Sequence, residues 1–328
     1  MSGYRFATHA DIEDMPRLRQ DLSDLDALTF SQYDAVVAAS PSFMAWYTAR
    51  PGMDPRLCQA ALYGEELVSS LFVTVARMRL AGETVACGIV DTVMTHPAHR
   101  RRGLARGMLE RAIAVLGESG VEISLLNTAG TEPPAVPQRL YESLGYAAYA
   151  SVDRFVRRPP QILDEQAAVP VPADEAARDA FTAAFGEQSG WLEMEEGVWR
   201  WRRVDRPSEY PITVCRTADG GLGVLCTGEL LVDGSPRRFT VLSDLAPSEE
   251  ATAERALRSM VAAAPSDAPI TVLCPRSDSV LAKALRATGF EPAGVEIVML
   301  RPIAAASAKL LEQPLRSWYV AVESVVGV

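Results

Sequence analysis

Thr95-His96-Pro97-Ala98-His99-Arg100-Arg101-Arg102-Gly103-Leu104-Ala105 joins two segments of different periodicity. Before it, residues 83–95 are rich in Val, Thr and Ala and read as a strand. After it, Leu104, Met108, Ala112, Val115 and Leu116 recur at spacings of 4, 4, 3 and 1. That pattern predicts a helix over 103–118 with one apolar face. The first amide N–H groups of a helix have no partner inside it and carry the positive end of its dipole. An anion such as a pyrophosphate fits there. Gly103 has no Cβ and lets the backbone approach closely, and small Ala105 does nearly the same. Arg100, Arg101 and Arg102 add planar cationic donors suited to phosphate oxygens. They stand together in a chain whose formal net charge is -10. A solvated basic turn would explain three arginines alone. The strand-to-helix context and the Arg-x-x-Gly-x-Ala spacing favour a phosphate site. The G-x-G-x-x-G and G-x-x-x-x-G-K loops are absent.

Strands are expected at 4–8, 57–63, 67–80 and 83–95, with turns at Gly64-Glu65-Glu66 and Ala81-Gly82. A helix is expected over 11–22, led by Asp11, Glu13 and Asp14, and two short helices within 26–50. After the junction come a strand at 121–127, a short helix at 136–144 closed by Gly145, and a strand at 146–156. This order predicts an α/β (α+β) domain over residues 1–157. Arg157-Arg158-Pro159-Pro160 reads as a linker. The order then recurs over 158–328. Helices are expected at 173–185, 249–263 and 279–287, and strands at 212–216, 222–231, 238–245, 270–274 and 294–300. An internal duplication of about 150 residues follows from that recurrence.

The residues around the junction resemble the signature of the GNAT superfamily of N-acetyltransferases, Val-x-Pro followed by Arg-x-x-Gly-x-Gly/Ala. Thr95 replaces the usual Val, a mild departure; Arg100, Gly103 and Ala105 fit. A second mark, an aromatic residue four before a Gly-aromatic pair, is matched by Tyr141 ahead of Gly145-Tyr146. The resemblance covers residues 4–156. It implies two GNAT-like domains, each a mixed, mostly antiparallel sheet with splayed central strands flanked by helices.

The resemblance also implies roles. Acetyl-CoA would be the co-substrate, with no metal. Backbone groups of Val93, Met94 and Thr95 would hold its pantetheine arm and thioester carbonyl. Arg100, Arg101, Arg102, Gly103, Leu104 and Ala105 would hold its pyrophosphate. Asn127, ending the next strand, is either a cofactor contact or a turn residue. Tyr141 matches the general acid that protonates the leaving thiolate; phenol and thiol titrate close enough for that transfer. Asp91 is a candidate base, because an amine acceptor must lose a proton before attack and the strand around Asp91 is apolar. A structural role for Asp91, relayed water, and the chain-end carboxylate of Val328 are the alternatives. His96 and His99 lie toward the phosphate side and read as turn or phosphate contacts. Phe30, Phe43, Trp46 and Tyr47 are either acceptor walls or core.

In the second half, Leu245-Ala246-Pro247 takes the place of Thr95-His96-Pro97, and Glu250 falls where Arg100 was. Glu249 and Glu250 would repel a pyrophosphate. Leu285 stands where Tyr141 was. The second copy therefore resembles a degenerate GNAT domain with a structural or acceptor-shaping role.

Lys and Arg total 32 against 42 Asp and Glu, a balance that disfavours nucleic acid and anionic lipid as partners. It leans toward a small cationic amine as acceptor. A protein or peptide N-acetyltransferase and an acyl-CoA sensor without turnover stay open, as does a homo-oligomer. Five scattered cysteines without a C-x-x-C pair, and no apolar segment near the start, predict buried free thiols in a cytoplasmic protein.

Overall fold

Runs of Val, Leu, Ala and Thr between Gly-containing turns fold as long strands, and the amphipathic stretches between them fold as helices against those strands. The computed structural model describes residues 3–30, 35–37, 39–160, 165–232, 235–248 and 252–319. In chain order the first elements are β1 (Tyr4–Thr8), α1 (Met15–Phe30), β2 (Ala35–Val37), α2 (Pro41–Thr48), β3 (Gln59–Tyr63), β4 (Glu66–Leu80) and β5 (Glu83–Thr95). Then come α3 (Leu104–Glu118), β6 (Ile123–Ala129), α4 (Val136–Ser143) and β7 (Ala147–Arg157). The recurring set is β8 (Val169–Pro170), α5 (Glu175–Phe185), α6 (Glu196–Arg203), β9 (Ile212–Arg216), β10 (Leu222–Val232) and β11 (Ser235–Ala246). It closes with α7 (Ala253–Ala263), β12 (Ile270–Pro275), α8 (Ser279–Ala287) and β13 (Glu291–Pro302). The fold is mixed α/β, with mostly antiparallel sheet flanked by helices.

Two compact units result, and they do not divide the sequence at a single point. One comprises Met1–Tyr149 with Val298–Pro314; the other comprises Ala150–Ile297 with Leu315–Val328. Both β7 and β13 therefore begin in one unit and end in the other. In the first unit the strand order is β1, β3, β4, β5, β6 and the end of β13. In the second it is the end of β7, then β12, β11, β10, β9 and β8.

Several segments differ from the sequence expectation: within 26–50, where two short helices are expected, the end of α1, strand β2 and the single helix α2 are found, and β8 is a further short strand. The helix expected at 11–22 begins at Met15 and continues to Phe30. Asp11 instead closes a turn, its Oδ2 accepting from Thr8 N at 2.7 Å and Thr8 Oγ1 at 2.9 Å. Asp14 caps the helix by accepting from Arg17 N at 3.0 Å. The helix expected from 249 starts at Ala253, because Thr252 caps it through Arg255 N at 3.3 Å. Helix α6, with Trp199 and Trp201 buried, was not expected.

Helix α3 lies on the sheet of the first unit, burying Leu104, Met108, Leu109, Ala112 and Leu116. Each large side chain there contributes about 1.5–3 kcal/mol. The approach is close. A Cβ on Gly88 of β5 would lie 2.6 Å from Leu116 Cδ2, and one on Gly107 would lie 2.6 Å from the Phe6 ring. Gly88→Val is expected to destabilise the protein by about 1–3 kcal/mol through overpacking. Thermal melts of the two proteins check it; equal midpoints would show that α3 has room to shift. Among the described residues no helix is long and apolar enough to cross a membrane. All five cysteines are buried and none is in a disulfide.

Candidate active site

β5 and β6 run parallel, but their register covers only Cys87–Ile123, Gly88–Ser124 and Ile89–Leu125. Beyond Ile89 the two strands part. The cause lies on the other edge of β5, in its pairing with β4. Phe72 pairs with Asp91 and Ser70 with Met94, so Thr92 and Val93 together face the single residue Leu71. This is a β-bulge, which bends and twists its strand. Thr92 takes φ +47°, a left-handed conformation uncommon outside glycine. The bulge turns the end of β5 and leaves the backbone of Val93 outside the regular ladder. Ser69 of β4 holds the strand end in place: its Oγ donates to Met94 O at 2.6 Å and lies 2.8 Å from Thr95 Oγ1. Sequence alone gave no signal for Ser69, because its role depends on register. Asn127 is exposed on β6, two residues past the last pair with β5.

The loop after β5 leads into α3 through two positive φ values, +60° at Arg101 and +77° at Gly103. Gly103 is the N-cap, and a Cβ there would meet nothing within 4 Å. Its requirement is thus conformational, not steric. Having no side chain, Gly103 offers no cap, and the first helical bond runs from Gly107 N to Gly103 O at 2.9 Å. The amides of Leu104, Ala105 and Arg106 are bare of acceptors among the described residues. Arg101 and Arg102 are exposed, and Arg102 lies over the Tyr4 ring at 5.9 Å. Arg100 has a different task. Its Nε donates to Thr95 O at 3.2 Å and its Nη2 to Thr29 O at 3.0 Å, which ties the loop to the end of α1. His96 Nδ1 accepts from Ala98 N at 3.1 Å, and His99 Nδ1 lies 3.0 Å from the Tyr4 hydroxyl. Both histidines shape the turn.

Tyr141 is 7% exposed on α4, with its ring 6.3 Å from that of Tyr146. Tyr146 in turn shares a 2.8 Å hydrogen bond with Ser124 of β6, and burial pushes its phenol up to about 12. Arg106, in the first turn of α3, donates to Ser143 Oγ at 2.7 Å. That contact fixes the helix bearing Tyr141 against the first turn of α3.

Asp91 is engaged on both oxygens. Arg50 Nη2 donates to Oδ2 at 2.6 Å and the Tyr47 hydroxyl to Oδ1 at 2.7 Å. Burial, with Asp91 beside it, pushes the Tyr47 phenol well up, so it stays protonated. Phe43, Trp46 and Tyr47 are buried, with Tyr47 packed on Phe72 at 5.3 Å, so core packing accounts for them. One buried carboxylate escaped sequence reading: Asp26 of α1 is 4% exposed, and burial raises it to about 7.

The second unit repeats the bulged strand and its parting from a parallel neighbour. Val224 pairs with Ser243 and Leu222 with Ala246, so Asp244 and Leu245 form a bulge, and Asp244 takes φ +50°. The parallel register of β11 with β12 stops at Leu242–Val272. Asp244 is held by Arg203 and by the Tyr319 hydroxyl. Arg50 and Asp91 are 41 residues apart, and so are Arg203 and Asp244. The start of α7, unlike that of α3, is closed by its own Thr252 side chain. Glu249, Glu250 and Val328 lie outside the described residues.

Residues 18–149 match the acetyltransferase (GNAT) domain family. No curated protein sequence matches the chain. Among solved structures, a GCN5-related N-acetyltransferase from Anabaena variabilis aligns with a TM-score of 0.65 and 16% identity, covering 93% of this chain and 74% of that one. N-myristoyltransferase from Saccharomyces cerevisiae, with bound myristoyl-CoA, aligns with a TM-score of 0.72 and 10% identity, covering 92% and 79%. At these identities the likeness is one of fold.

Proposed function

Because the first half of the chain carries a GNAT acetyltransferase domain, we propose that the protein transfers an acetyl group from acetyl-CoA to a primary amine on a small cationic molecule. One observation carries the proposal: β5 and β6 part after Ile89–Leu125, and α3 presents uncapped amides at the far end of β5. A gap with free backbone groups suits the pantetheine arm, and a bare helix start suits its pyrophosphate. When bound, the coenzyme supplies an acyl group activated as a thioester.

The chain's own residues then divide the work. Arg101, Arg102 and the amides of Leu104, Ala105 and Arg106 bind phosphate oxygens. Arg100 acts through the loop it ties to Thr95 and Thr29, not as a free phosphate ligand. The bulge at Thr92 and Val93 aims backbone N–H groups at the carbonyl oxygen where negative charge develops. Tyr141 delivers a proton to the departing sulfur. Asp91, bound by Arg50 and Tyr47, holds the bulge; the ammonium gives its first proton to bulk water before attack, and the second, shed by the nitrogen as the amide forms, passes through water to restore the Tyr141 phenol.

The test uses free-thiol release from acetyl-CoA with a panel of small amines, beside direct coenzyme binding. Replacing exposed Arg101 and Arg102 together with Glu is expected to weaken coenzyme binding about 100-fold, since charge-assisted bonds contribute about 1.5–3 kcal/mol each. Tyr141→Phe is expected to lower kcat about 100-fold with coenzyme affinity kept. Unchanged affinity in the double Glu variant, or no thiol release with any amine, overturns the proposal.

A further inference from the structure

Helix α1 carries three polar residues one turn apart, Ser23, Asp26 and Thr29. The outer two fix the place of the middle one. Ser23 Oγ donates to Ala39 O at 2.5 Å, which ties α1 to the approach to α2. The Thr29 carbonyl accepts from Arg100 Nη2 at 3.0 Å, and Arg100 Nε donates to Thr95 O at the end of β5. Residues three apart on a helix lie about 5–6 Å apart at Cβ. Asp26 therefore stands one turn from the bridge to the end of β5, beside the bulged strand end of the proposed transfer.

Asp26 is 4% and Thr29 6% exposed. Burial is the single influence on the Asp26 carboxyl: among the described residues no hydrogen bond or charge offsets it. Thr29 Oγ1 is closed off from solvent and has no hydrogen-bond partner among the described residues. Buried polar groups are nearly always hydrogen-bonded, so two orphans on adjacent turns of one face mark missing partners. Together they offer three acceptor atoms, two carboxylate oxygens and a hydroxyl oxygen. A primary ammonium group brings three N–H donors and one positive charge, and so matches them in number and sign. A metal ion would find too few ligands, since among the described residues no group of three or more His, Cys, Asp or Glu converges. An anion would be repelled. Folding has already taken the carboxylate out of water, so a cation that reaches it meets a charge with little screening.

We propose that Asp26 and Thr29 form an ammonium subsite for the acceptor, and that the acceptor is a small diamine; this rests on the reading of the protein as an N-acetyltransferase. The ammonium group held by Asp26 stays protonated and cannot attack. The acceptor's other amine, as the free base, is the nucleophile. Its nitrogen bonds to the thioester carbon as the carbon–sulfur bond breaks. The sulfur takes its proton from Tyr141, and the nitrogen gives its surplus proton to water. Asp26 thus sets which amines are used and stands apart from the reacting atoms.

The probes are ethylenediamine, 1,4-diaminobutane and 1,6-diaminohexane, each against the n-alkylamine of equal carbon count. Thiol release from acetyl-CoA gives kcat/KM, and ligand-observed NMR on the full chain without coenzyme gives binding. At least one diamine is expected to exceed its monoamine about 10-fold or more in kcat/KM, the contribution of a hydrogen-bonded charge. Asp26→Asn is expected to lower that ratio to about 2 or less and to weaken diamine binding about 10-fold. Thr29→Val keeps the side-chain shape and the carbonyl that Arg100 holds, and is expected to weaken diamine binding about 5-fold. Where thiol is released, the absence of a diamine preference, or a preference unchanged in Asp26→Asn, overturns the inference and leaves the transfer reading standing. Where no amine releases thiol, the transfer reading fails and binding decides: loss in Asp26→Asn supports the ammonium subsite, and full affinity in that variant overturns it.

Discussion

Asp244→Asn lowers the stability of the second unit by about 3 kcal/mol, seen as a fall in melting temperature of roughly 6–12 °C. The side chains of Arg203 and Asp244 are 2% and 3% exposed. Removing the carboxylate charge leaves a guanidinium in the interior with no counter-ion, which is the costly way to break a buried pair. Tyr319, whose hydroxyl donates to Asp244, also loses a charged acceptor. Asn tolerates the φ of +50° at this position, so backbone strain does not confuse the result. Adding Arg203→Met should recover most of the loss, because both charges then leave the core together. The matching change in the first unit, Asp91→Asn, should cost less. Asp91 is 23% exposed against 3% for Asp244, and water reaches the site when the pair is broken. Equal costs in the two units, or no recovery in the double variant, would mean that the pair is not what holds the bulged strand.

The recurrence of this pair bears on how Asp91 is read. Trp46, Arg50 and Asp91 reappear as Trp199, Arg203 and Asp244, each 153 positions later. The second copy keeps the ion pair while its helix start is self-capped and Leu285 stands where the first copy has Tyr141. A carboxylate that keeps the same arginine partner in both copies is accounted for by the ion pair itself. The sequence leaves a base and a structural role both open, because an acidic residue in an apolar strand looks unpartnered until the strand's neighbours are known. Arg50 sits 41 residues upstream, beyond any local pattern.

What was legible lies in contiguous stretches. The junction from Thr95 to Ala105 carries its turn, its charge and its helix start within eleven positions of sequence. α8 was legible to the residue, because Asp278 caps it and Gly289 ends it. The illegible parts are matters of pairing between distant segments. Periodicity marks β13 as a strand but does not say that its last residues, from Val298 onward, join the first unit. Nor does it reveal the bulge at Thr92, since a β-branched residue at φ +47° goes against its own preference and is imposed by the sheet. Tyr141 and Arg100 were both found through spacing, yet only the hydrogen bonds of Arg100 show that its side chain is already spent.

Asp26→Asn stabilises the protein increasingly as pH rises from about 4 to 7. Asp26 is 4% exposed, and desolvation alone raises it from 3.8 to about 7. Below pH 3.8 the carboxyl is protonated in both folded and unfolded chains, and burial costs it no charge. Between 3.8 and 7 the unfolded chain ionises while the folded one stays neutral, so folding must take up a proton and stability falls with rising pH. Above 7 both forms are ionised and the full cost, up to about 4 kcal/mol, is constant. The amide has no such cost. His9 works in the opposite sense: burial lowers it from 6.5 to about 4, so its contribution to stability is lost as pH falls through that window. Wild-type stability therefore hides two opposing slopes across the same range, which the substitution separates. Urea titrations of both proteins at pH 4, 5, 6, 7 and 8 should give a difference that grows by up to about 1.4 kcal/mol per pH unit and levels off near 7. A difference that stays constant with pH would show that Asp26 is already ionised in the folded chain, held by water or by a partner that the packing of α1 conceals.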